Sequence, residues 1–101
     1  MSGCEINGTV ENSVLGSSVI VKKGAVVKNS IVMSNVVIEE NAVIEYSIID
    51  ENTVVCQGAT VGEPKENGKG IAVLGRNIIV VSDAVVEGGA MVDKDVVVGG
   101  K

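Results

Sequence analysis

The chain has 101 residues, 46% of them hydrophobic and 21% charged, with a formal net charge of −5. That composition suits one packed domain, and the eight Lys and Arg are scattered, which argues against a phosphate-backbone binder of nucleic acid. There is no His, so imidazole acid/base catalysis, His-dependent nucleophile pairs and imidazole metal sites are excluded as well.

Read from the start, the chain repeats. Rows of seventeen residues starting at Val10, Val27 and Ile44 align Val10, Val27, Ile44 and Val61 in one column. Leu15, Val32 and Ile49 form a second, and Cys4, Val21, Ile38 and Val55 a third. Small residues align two positions earlier: Ser13, Ser30 and Ser47; Gly8, Ala25, Ala42 and Ala59; and Val19, Val36 and Thr53. A step of two is the strand period, and the apolar spacing of five, six and six does not fit a helix. Each row therefore predicts three short strands, and successive rows stack one strand spacing apart, about 4.8 Å. This is a hexapeptide-repeat solenoid, an all-β, single-stranded parallel β-helix of about five triangular coils in one domain over residues 1–101. A narrow prism takes Val and Ile, which explains why Tyr46 is the one aromatic residue.

Coils with the seventeen-residue period are expected over 4–61. Gly62 to Gly70, carrying the one Pro and four charges, predicts an excursion loop, with the return to the coil complete by 73. Hexads resume at Leu74, Val80, Val86, Val92 and Val98, with Ile78, Ala84, Ala90 and Val96 two before the last four. The sequence ends at Gly99-Gly100-Lys101 with no amphipathic capping segment.

Few residues suggest chemistry. Cys4 is expected inward and Cys56 outward, in columns three coils (about 14 Å) apart, beyond the roughly 7 Å reach of a disulfide. Gly62, Gly68 and Lys69 mimic a phosphate loop with the wrong spacing and without its Ser or Thr, so the segment reads as a solvated or partner-docking loop. Asn7-Gly8-Thr9 fits the glycosylation sequon and is expected to be simply a turn. Glu39-Glu40 and Asp93 with Asp95 are outward turn charges, and Arg76 is a bare anion-contact candidate. No catalytic, cofactor-binding or metal-binding residue is expected.

The opening Ser2-Gly-Cys-Glu-Ile-Asn-Gly-Thr-Val-Glu-Asn-Ser-Val-Leu15 resembles the start of the C-terminal β-helix domain of bacterial glucose-1-phosphate adenylyltransferases (ADP-glucose pyrophosphorylases). Val27-Lys-Asn-Ser-Ile-Val-Met33, Gly68-Lys-Gly-Ile-Ala-Val-Leu-Gly75 and Ala84-Val-Val-Glu-Gly-Gly-Ala-Met-Val92 look like the same domain. The resemblance implies a left-handed coil and a role in subunit assembly and interdomain, effector-linked contacts. It implies that ATP and Mg belong to a nucleotidyltransferase domain whose nucleotide loop and metal-binding Asp residues have no match here, so no adenylyltransferase activity is expected of this chain alone. Two other readings stay open: a stand-alone hexapeptide acyltransferase-like protein, and a purely architectural solenoid.

Two further expectations concern surfaces and packing. The residue before each inward aliphatic points outward, and that series is nearly all apolar, from Val14, Ile20, Val26, Ile31, Val37, Val43, Ile48 and Val54 to Ile79, Val85, Met91 and Val97. Stacked apolar stripes mark contact surfaces, so a homo-oligomer is expected, with Ile31, Ile48, Val14, Val37 and Val54 as candidate interface residues. Neither nucleic acid nor a membrane is an expected partner, and the cytoplasm is the expected compartment. Ala42 is expected to tolerate no glutamate, whereas the same change at the turn residue Asn41 is expected to be nearly silent.

Overall fold

The computed structural model describes residues 3–93 and the backbone of Val97 and Val98. The expectations for Asp95, Val96 and residues 99–101, and for the side chains of Val97 and Val98, lie outside the described residues. The first coil is β1 (Glu5–Ile6), β2 (Thr9–Glu11) and β3 (Val14–Leu15), and the second is β4 (Ile20–Val21), β5 (Val26–Lys28) and β6 (Ile31–Val32). The third is β7 (Val37–Ile38), β8 (Val43–Glu45) and β9 (Ser47–Ile49). In the fourth, β10 (Val54–Val55) and β11 (Thr60–Val61) are separated from β12 (Ala72–Leu74) by a loop with one 3-10 turn, Lys65–Asn67. The fifth is β13 (Ile79–Val80), β14 (Val85–Val86) and β15 (Met91–Val92), and β16 (Val97–Val98) follows.

Every third strand pairs in parallel, giving three faces: β1-β4-β7-β10-β13-β16, β2-β5-β8-β11-β14 and β3-β6-β9-β12-β15. The chain is a left-handed parallel β-helix of about five coils. Each coil donates backbone N–H groups to the next, as Ile20 N does to Val36 O at 2.9 Å and Val54 N to Ile78 O at 2.9 Å. No described helix is long and apolar enough to cross a membrane.

The step of two holds in the interior. Val19 and Val21, Ala25 and Val27, and Val36 and Ile38 all have no solvent exposure. A fully buried Val or Ile contributes about 1.5–3 kcal/mol, so a stack of them makes a core without large rings. The small columns close the corners, where a residue lies directly under its counterpart. Ser30 N donates to Ser13 Oγ at 3.0 Å, and Ser47 N to Ser30 Oγ at 3.1 Å. These bonds give buried corner N–H groups the acceptors they require.

Turning three times per coil needs left-handed backbone, and the sequence supplies it at fixed places. Gly24, Asn41, Gly58 and Asp83 have φ of 80°, 62°, 74° and 61° at the corner between the first and second faces. Ala25 N bonds to Lys22 O at 3.1 Å and Ala42 N to Glu39 O at 3.2 Å across these turns. A positive φ at the third position is the pattern of a type II turn and favours Gly or Asn. The expectation that Asn41 tolerates glutamate silently is therefore corrected: at φ 62° a longer side chain is strained.

A second correction concerns the first coil. Ile6, not Cys4, pairs with Val21, because the corner Asn7-Gly8 is shorter than Lys22-Lys23-Gly24-Ala25 above it. The shift restores register at Val10, which pairs with Val27. Gly8 makes the short corner possible, since a Cβ there would collide with the carbonyl oxygens of Ala25 and Lys22. Cys4 instead sits half-buried at the edge of the core, its thiol donating to Gly16 O at 3.1 Å.

Candidate functional site

The outward residue of each strand stands in register with those above and below. On the third face this column is Val14, Ile31, Ile48, Val73 and Met91, without a charge in five coils. On the first face it is Glu5, Ile20, Val37, Val54 and Ile79. The second face differs: Thr9 and Thr60 interrupt its valines, and a charged column of Glu11, Lys28 and Glu45 runs along its edge. Opposite charges directly across parallel strands keep that edge soluble and weakly supportive.

The structure thus brings Val14, Ile31 and Ile48 together and places Val37 and Val54 on a neighbouring face. Val14 and Ile31 are 64% and 43% exposed, and Met91 is 80% exposed. Val73 belongs to the same column and was missing from the sequence-based series, although it precedes the inward Leu74 as the others precede theirs. Met33 and Ile71, also well exposed, lie off the period-2 positions and carried no such signal.

Along the border of the second and third faces runs a groove of about 450 Å³. Asn12, Asn29, Ser30 and Tyr46 line it with Val14 and Ile31, and Lys65 and Glu66 of the excursion loop close one side. Asn12 Nδ2 donates to Asn29 Oδ1 at 2.7 Å, and Asn29 Nδ2 to Glu45 Oε2 at 3.0 Å, so the corner amides form a ladder up the stack. Tyr46 continues that corner at φ 52°, in a conformation otherwise held by Asn, Asp, Ser or Gly among the described residues.

Reactive chemistry is sparse. No group of three potential metal ligands occurs among the described residues. Cys4 and Cys56 are both free thiols. Partial burial, aided by the Glu39 carboxylate, pushes the Cys56 thiol above its ordinary pKa. The thiolate is the nucleophile, so Cys56 is expected to alkylate more slowly at neutral pH than an unhindered cysteine. Timed iodoacetamide labelling read by peptide mass should show this, with a faster rate in Glu39→Gln. In the excursion loop, Gly68 N closes the 3-10 turn on Lys65 O at 3.0 Å. Arg76 is exposed at a corner, and Glu39 and Glu40 lie in the turn before Ala42.

A three-faced parallel stack of short strands, with one inward and one outward column on each face, defines a hexapeptide-repeat β-helix. The GlmU-like, C-terminal hexapeptide family matches residues 1–81, and the chain belongs to that family. No curated protein matches. Among solved structures, the chain is similar to the acetyltransferase domain of PglB from Neisseria gonorrhoeae FA1090 in complex with acetyl coenzyme A, at 16% identity and a TM-score of 0.49. That similarity covers 93% of this chain and 51% of the other, so the chain spans about half the length of that domain.

Proposed function

We propose that this chain is an assembly module, the β-helix part of a glucose-1-phosphate adenylyltransferase, which joins subunits and contacts a nucleotidyltransferase domain. The observation that carries the reading is that the outward columns of the first and third faces are almost free of charge, whereas the second face mixes Thr with Val and carries the Glu11–Lys28–Glu45 column. Apolar columns of this length are contact surfaces more often than solvated ones. The sequence segments at 2–15, 27–33, 68–75 and 84–92, which resemble the β-helix domain of that enzyme, support the adenylyltransferase origin.

Catalysis is not part of this reading. An acyltransferase-like activity needs a base within reach of the acceptor. The ionisable groups of the groove are Tyr46, Lys65 and Glu66, and Lys65 and Glu66 are exposed. Light scattering coupled to gel filtration tests the assembly role. A mass well above 10.3 kDa at micromolar concentration is expected, and a clean monomer at high concentration refutes it. With ATP, glucose 1-phosphate and Mg²⁺, the isolated chain is expected to release no pyrophosphate.

A further inference from the structure

The two feet of the excursion loop meet one turn of the fifth coil, and that turn is shaped to receive them. Gly88 N donates to Glu63 Oε2 at 3.1 Å, and Gly89 N donates to Gly70 O at 3.1 Å. A Cβ at Gly88 would lie 2.9 Å from the Cβ of Lys69 and 3.3 Å from that of Glu63. A Cβ at Gly89 would strike the Lys69 carbonyl oxygen. The two glycines therefore form a notch between β14 and β15 that the loop base fills. Beyond the notch the loop is free of such packing: a Cβ at Gly68 would meet nothing within 4 Å, and its φ of 75° is left-handed.

The Glu63 carboxylate is the centre of this contact. Its second oxygen, Oε1, accepts from Asn67 Nδ2 at 3.0 Å, which ties it to the end of the 3-10 turn. Lys69 Nζ stands 3.6 Å from Glu63 Oε2 and 4.0 Å from Glu87 Oε1, so one ammonium is shared between the loop and the turn of the next coil. The charged groups facing Glu63 are thus Lys69 from the loop and Glu87 from the notch.

We propose that Glu63 is a latch: its carboxylate, seated on the Gly88 N–H, holds the excursion loop in the Gly88–Gly89 notch and so holds Lys65 and Glu66 as one wall of the groove beside Tyr46 and Ile31. Released, the loop pivots at Gly68, and the groove loses its Lys65–Glu66 wall. The latch does not depend on what the outward columns bind.

The Asn67 amide, then the Gly88 N–H and the Lys69 ammonium, hold the Glu63 carboxyl below its ordinary pKa, against the opposing effect of partial burial. A depressed pKa in the latched state means that the latch is complete above the ordinary glutamate value. It is lost as pH falls through the depressed value.

Two measurements on the full chain test this. Lys65 and Lys69 are trypsin sites within the loop, whereas Lys23, in an exposed turn of the second coil, is an internal control. Glu63→Gln is expected to speed cleavage at Lys65 on the order of tenfold, the scale of one lost charge-assisted hydrogen bond, with cleavage at Lys23 unchanged. Gly88→Ala, which fills the notch from the other side, is expected to do the same. By NMR, the Gly88 amide proton of the unmodified chain is expected to titrate with an inflection below the ordinary glutamate value, and the inflection should vanish in Glu63→Gln. Unchanged cleavage at Lys65 in both variants, or a Gly88 amide with no such inflection, overturns the latch. Assembly is not read in either measurement, so a monomeric chain leaves the result intact.

Discussion

Ala42→Glu is expected to unfold the middle of the stack or to lower the melting temperature by 15 °C or more. Ala42 has no solvent exposure and stands between Ala25 and Ala59, its counterparts one coil below and one coil above. A carboxylate there has no cation or donor to meet, and its length forces neighbouring coils apart. Breaking a site by leaving a buried charge unpaired costs about 3–5 kcal/mol, and overpacking adds to it. Total stabilities are about 5–15 kcal/mol, and for a chain of this size each kcal/mol is worth about 4–8 °C. Because each coil is stabilised by its neighbours, the defect divides the prism rather than trimming its end. The matched control is Gln57→Glu, at an exposed position of the same corner in the next coil, where a change within about 0.5 kcal/mol is expected. Asn41→Glu should fall between them, costing on the order of 1 kcal/mol for its left-handed backbone. Thermal melts of the three variants followed by circular dichroism order them. Equal melting temperatures for Ala42→Glu and Gln57→Glu would mean that the alanine column does not face the core.

That ordering also shows where sequence reasoning stopped. The columns Val27–Ile44–Val61 and Val32–Ile49 were legible because an inward position repeats its demand for a β-branched side chain in every coil. The first coil broke the pattern at Ile6 because a glycine corner can lose residues without losing its path, and Gly8 gives no apolar signal to mark the loss. The corner asparagines carried a signal that went unread. Asn12 and Asn29, and Asn35, Asn52 and Asn77, recur at positions where the backbone turns left-handed, and Asn is the non-glycine residue best suited to that conformation. Tyr46 breaks its column for no reason visible in the repeat, and in the fold it lines the groove. The contact of Glu63 with Gly88 was beyond reach. It joins a loop to a turn 25 residues away, and no periodicity relates the two.

Ile31→Lys is expected to dissociate the assembled chain, while Thr60→Lys leaves its mass unchanged. Ile31 pairs with Val14 below and Ile48 above, so a lysine there interrupts the charge-free column on the third face. Ile31 is already 43% exposed, and the monomer accommodates the ammonium in water. Within an interface the same ammonium is desolvated against valine and isoleucine, and no carboxylate belongs to that column. Central apolar contacts of this kind are worth about 2 kcal/mol or more, which is roughly a thirtyfold change in dissociation constant. Thr60 lies on the second face, between Val43 and Val85 in a column that already mixes polar and apolar residues, so a charge there adds little to a solvated surface. Val37→Lys supplies the third arm. If the first face joins subunits as the third does, Val37→Lys dissociates the assembly too. If it alone does so and Ile31→Lys does not, the contact lies on the first face. Mass measured across a dilution series by light scattering distinguishes these results, and melting temperatures confirm that each variant is folded. An unchanged mass for both Ile31→Lys and Val37→Lys would show that neither apolar column holds the subunits together.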